Sequence, residues 1–163
     1  MKHKKKIIIG IVIIILGAFA AWNGYWYFMV HNYYMGFTTM KNGDKLPKDP
    51  LDSYSKIIGD YSVSVEMPLY LVMRGNLSVC SVGTDESAPF LIIWPKKNGG
   101  TQYGIALIAE KNIQHQLYVD KKGNLIPSTE AQDIKEEQEK ALNKHEEEVR
   151  RLLEVAHKAW DLD

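Results

Sequence analysis

Five histidines, one cysteine and a scatter of serines are the residues of this chain that could do chemistry, and their spacing decides which reactions are open to them. His115 is the most interesting. In Ile113-Gln-His115-Gln-Leu117-Tyr-Val119 the alternation puts it on one strand face with three apolar residues, where an imidazole needs a partner. A small hydrolase could pair it only with a distant acid such as Glu66 or Asp85, because no carboxylate or second histidine lies nearby in sequence. Glu154, His157 and Asp161 fall at i, i+3 and i+7, so a helix would place all three on one face as possible metal ligands. A carboxylate-bridged metal centre needs a matching set from other helices, and the chain offers none. His145-Glu-Glu-Glu is not a zinc-protease motif, since Val149 stands where the second histidine must be.

No GxSxG surrounds any serine, and Ser53, Ser55, Ser62, Ser64, Ser78 and Ser81 fit turns or solvent-facing strand positions. Neither GxxxxGK[ST] nor GxGxxG occurs, so nothing points to nucleotide chemistry. Asn76-Leu-Ser78 is a glycosylation sequon that matters only in a eukaryotic secretory pathway. Cys80, alone in Leu-Ser-Val-Cys-Ser-Val, can form no intramolecular disulfide and reads as a small hydrophobe in a strand. It also lies too far along the chain to carry a lipid at the end of the apolar leader. These residues give no catalytic set, no metal site and no cofactor.

The elements that must position them begin with a charge partition hidden by the zero net charge. Residues 1–30 carry +4, residues 31–127 about zero, and residues 128–163 carry −5. The positive cluster, Lys2, Lys4, Lys5 and Lys6, abuts an uncharged run from Ile7 to Val30, long enough for a bilayer core of about 20 helical residues. With those lysines assigned to a membrane, no basic surface remains for nucleic acid. The positive-inside bias holds the amino terminus in the cytoplasm, and Trp22, Tyr25 and Trp26 mark the opposite interface. Ala18-Phe19-Ala20 has the small-x-small form of a cleavage site. The residues after it stay ring-rich and uncharged, however, so a retained signal anchor is expected over a secreted factor released at Ala20.

Beyond the membrane, residues 31–49 read as a polar spacer and residues 50–127 as a small extracytoplasmic domain. Asp49-Pro50 resembles a helix start, with Leu51, Tyr54, Ile57 and Ile58 on one face and Gly59 as the stop, which predicts a short helix over 50–58. Residues 61–66, 69–74, 76–82, 90–94, 103–109 and 113–119 predict an antiparallel meander of about six strands, with a hairpin turn at Gly75-Asn76. The apolar runs 90–94 and 103–109 predict central strands covered on both faces. From Thr129-Glu-Ala-Gln132, a capping-box form, an acidic helix of roughly thirty residues is expected within 128–163. Leu142, Val149, Leu152, Leu153, Ala156 and Trp160 make its apolar stripe, free to lie on the meander or to join a second copy as a short coiled coil.

The class is therefore α+β, with an amino-terminal apolar helix. The expected role is a single-pass, membrane-anchored binding or accessory protein of a cell-envelope complex, with a protein partner there and a homo-oligomer through the carboxy-terminal helix as a further option.

Overall fold

A computed structural model describes residues 2–49, 53–70, 72, 74–83, 88–96, 99–108, 114–126 and 132–162. Its elements are α1 (Lys2–Trp26), a π-helical turn (Tyr27–His31), α2 (Asn32–Gly36), then six strands and two helices. The strands are β1 (Ser53–Ile58), β2 (Tyr61–Glu66), β3 (Asn76–Ser81), β4 (Phe90–Pro95), β5 (Thr101–Ile108) and β6 (Gln114–Val119). The closing helices are α3 (Gln132–Lys144) and α4 (Glu146–Ala159). The strands form one antiparallel sheet in the order β1-β2-β3-β4-β5-β6, so the meander is as expected.

The first strand is a correction. Residues 53–58 are not helical but pair antiparallel with β2, from Ser53 opposite Glu66 to Ile58 opposite Tyr61. Tyr54 and Ile58 stand four apart, a spacing that fits both a helix turn and two steps of a strand, and Ser53 and Ser55 alternate with Tyr54 and Lys56 at a period of two. Gly59 has φ +60°. That conformation ends a helix or opens a tight hairpin equally well, and here it opens the hairpin. Asp49 does accept the Ser53 N–H at 3.0 Å, as a cap would, at the start of a strand. Pro50, Leu51 and Asp52 lie outside the described residues.

A second correction concerns 69–74. No described residue of this run is in a strand, and there is no hairpin at Gly75-Asn76. Instead β2 pairs directly with β3, Val63 with Val79 and Val65 with Leu77, which brings four fully buried side chains to one face. The described residues between β2 and β3, 67–70, 72, 74 and 75, lie outside the sheet as a loop. Its closure depends on Gly75, where a Cβ would stand 2.3 Å from the Glu66 carbonyl oxygen.

The long carboxy-terminal helix is present in two pieces, broken at His145 (φ −117°, ψ 15°). Its capping-box residues Thr129 to Ala131 lie outside the described residues. The stripe is committed within the chain: Leu142, Val149, Leu152, Leu153, Ala156 and Trp160 are all buried in the core, with α4 crossing β2, β3 and β4. Against them lie Val63, Val65, Leu77, Val79, Leu91, Ile93, Ile105 and Leu117. A fully buried aliphatic side chain contributes about 1.5–3 kcal/mol over an exposed one, so this apolar interface dominates the domain's stability.

Residues 31–49 do not form a free spacer. His31 ends the π turn and residues 32–36 are α2. Met40 and Leu46 then enter the core, and Lys41 N–H donates to the Ala159 carbonyl at 2.9 Å. The run is rich in turn formers, yet its apolar residues find room at the end of α4, where Trp160 Nε1 donates to the Phe37 carbonyl at 2.8 Å.

Candidate functional site: the helix–domain junction and the second sheet face

Lys5–Gly36 is a 32-residue helical stretch long and apolar enough to cross a membrane. Its isoleucines are exposed. The expected interface residues divide along it. Lys5 and Lys6 are exposed at its start, where Lys4 is also helical. Trp22 and Tyr25, rings 6.0 Å apart, face outward. Trp26 turns instead toward the domain, its ring centroid 5.4 Å from that of Tyr70 and its Nε1 donating to the Val72 carbonyl at 3.2 Å. One turn earlier the Tyr70 hydroxyl donates to Asn23 Oδ1 at 2.6 Å. One turn later the His31 ring stacks on Tyr27, 5.1 Å between centroids. Val30 and Tyr34 are buried, and the Tyr34 phenol lies against the Gly75 backbone. A cleft of about 570 Å³ opens beside this contact, lined by His31, Lys48, Tyr54, Glu66 and Tyr70 among others.

The β2–β3 loop is therefore fastened to the helix through Tyr70, Val72 and Gly75. Nothing in its periodicity announced that role. The signal that could have shown it is compositional: Leu69, Tyr70 and Val72 make an uncharged run between Pro68 and Arg74 that has no place in the sheet.

The sheet's second face is the other candidate. Strand register sorts its residues into two halves. Across β1, β2 and β3, Ser55, Ser64 and Ser78 form one row, with the Ser64 and Ser78 hydroxyls 2.7 Å apart. Across β4, β5 and β6, Ile92, Gly104 and Tyr118 form the continuing row, flanked by Phe90 and Trp94. Phe90, Ile92 and Trp94 are half-buried and Tyr118 is 44% exposed, and none of the four belongs to the core cluster. The expectation that 90–94 is covered on both faces thus holds for one face only.

The Trp94 ring covers Gly104, where a Cβ would meet it at 2.8 Å, and its centroid is 6.1 Å from that of Tyr118. Covering a strand glycine with an aromatic ring leaves the opposite side of that ring to the surroundings. Among the strand residues in this register Glu66 alone is charged, and it accepts the Asn76 amide at 2.6 Å. Cys80 sits between the two halves, with its thiol pKa pushed up by burial.

The sequence's catalytic candidates do not converge. His115 lies opposite Leu107 in the β5–β6 pairing, while Glu66 is on β2 at the other end of the strands, roughly 20 Å or more away at ordinary strand spacing. Asp85 lies outside the described residues. Of the helix triad, Asp161 pairs with Lys41 at 2.9 Å and the His157 ring lies 6.0 Å from that of Tyr103. Among the described residues no three His, Cys, Asp or Glu gather to hold a metal ion. No family model, curated protein or solved structure matches this chain.

Proposed function

We propose that the protein is a single-pass, membrane-anchored binding subunit of a cell-envelope complex, with its amino terminus in the cytoplasm and its α+β domain outside. The observation that carries this reading is the junction: an apolar helix of spanning length is fastened to the domain by Asn23, Trp26 and the buried Tyr34 of that same helical stretch. Lys4, Lys5 and Lys6 supply the cytoplasmic bias, and Trp22 and Tyr25 supply the outer ring belt. With the α4 stripe inside the core, the surface left for a protein partner is the second sheet face around Trp94 and Tyr118. Aromatic residues there present large apolar area at small entropic cost, as residues that anchor interfaces do.

A photo-cross-linking residue at Tyr118 in the full chain, irradiated in intact host cells, tests this. The expected result is one discrete adduct with a membrane or envelope protein. The same probe at Lys140, exposed on α3, should give none. Absence of any adduct at Tyr118, with the protein running as a monomer, would overturn the reading.

A further inference from the structure

We propose that the β2–β3 loop is a second membrane contact: Leu69, Tyr70 and Val72 seat at the headgroup boundary of the lipid leaflet through which the helix leaves, holding the domain flat on the bilayer. This rests on the anchored reading and adds what that reading leaves open, the position of the domain relative to the lipid.

Depth along the helix carries the inference. Ile7 to Trp26 is 20 residues, and at about 1.5 Å per residue it covers about 30 Å, the thickness of the hydrocarbon core. With Lys4, Lys5 and Lys6 held at one boundary, Trp26 therefore reaches the other. The loop is hydrogen-bonded at that depth, Val72 to Trp26 and Tyr70 to Asn23, so it lies beside the helix where the apolar core meets the headgroups. A water-facing loop at such a place would be polar. This one exposes Leu69 by 76%, Tyr70 by 47% and Val72 by 46%.

The charges next to it have the opposite character. Arg74 follows the apolar residues, and Lys96, in the β4–β5 turn, stands at the same end of the sheet. Both are exposed, and both are suited to phosphate headgroups while the apolar side chains sit below. Lipid is the occupant favoured over a partner protein because the loop is hydrogen-bonded to the spanning helix itself, at the depth where that helix meets the headgroups.

The test uses the full chain with Cys80→Ser, labelled with an environment-sensitive fluorophore at Leu69→Cys or Val72→Cys. It is reconstituted in vesicles of phosphatidylcholine and phosphatidylglycerol, with and without lipids carrying a shallow spin-label quencher. Ile57→Cys, exposed near the Gly59 turn at the opposite end of the sheet, is the reference. The expected result is loss of emission with the quencher lipid at 69 and 72 and no change at 57. If the protein floats with the vesicles but 69 and 72 are quenched no more than 57, the loop inference fails and the anchored reading stands. If the protein does not float with the vesicles, the anchored reading fails and this inference with it.

Discussion

At the scale of single residues, Cys80 and His145 show how position sets reactivity. The Cys80 thiol is on β3 between the serine rows and the aromatic patch, and burial pushes its pKa up. Since the thiolate is the nucleophile, it should react with a disulfide reagent at pH 8 far more slowly in the folded chain than in urea. Equal rates in the two states would show that the thiol is not sheltered. His145 sits in the break between α3 and α4, where burial, and next the Lys144 charge, push its pKa down. The unfolded chain then binds this proton more readily than the folded one. The contribution to stability is full above the free imidazole value of about 6.5 and is lost as pH falls through the lower folded value. His145→Gln should therefore narrow the difference in urea midpoint between pH 7.5 and 5.5, and an unchanged difference would remove His145 as a source of it. Neither effect was legible in sequence. Cys80 reads as a small hydrophobe in a strand and lies in β3, half-buried among serines, but the break at His145 has no Gly or Pro to announce it.

Elements were legible where period and burial agreed. β2 alternates Tyr61, Val63 and Val65 against Ser62, Ser64 and Glu66, and the structure buries Val63 and Val65 completely. The α4 stripe could be drawn from its spacing, though spacing alone left open whether the sheet or a second copy would cover it. The sheet covers it. Leu152→Ala should thus cost about 2–5 kcal/mol in denaturant unfolding, the range for emptying a tightly packed apolar site. A loss well below 1 kcal/mol would mean that α4 does not pack as described. Where two periods coincide, as for Tyr54 and Ile58, sequence misassigned a strand as a helix. Where an apolar run serves a contact outside the sheet, as for Leu69 and Val72, it misassigned a loop as a strand. Gly75 fixes that loop by contact with Glu66 rather than by a positive φ. Gly75→Ala should therefore displace the loop and weaken the Trp26 contact, read as a shift in the Trp26 contribution to emission, obtained by subtracting the Trp26→Phe spectrum from that of each parent chain; an unchanged contribution would show that Gly75 does not set the contact.

For the whole molecule the decisive relation is between the apolar helix and the domain, because it bears on whether Ala18-Phe19-Ala20 is ever cut. α1 runs unbroken through those three residues, and the helical stretch that follows is part of the domain's packing: Val30 and Tyr34 are buried, and Trp26 and Asn23 hold the β2–β3 loop. Removing residues 1–36 would strip the two buried side chains of the junction, an apolar burial worth about 1.5–3 kcal/mol for a residue such as Val30. A chain beginning at residue 37 should then unfold at clearly lower urea than one beginning at residue 27. Release at Ala20 keeps those two side chains but leaves Trp22, Tyr25 and Phe28 exposed on a free helix end, an apolar surface that soluble domains seldom carry. The helix–domain contact thus favours a retained anchor on grounds independent of the leader's own composition. The protein recovered from its host should retain residues 1–20, read from its intact mass and amino-terminal peptides. A mass lacking residues 1–20 would turn the same junction into the surface of a released factor, and the search for its partner would move from the membrane to the surrounding medium.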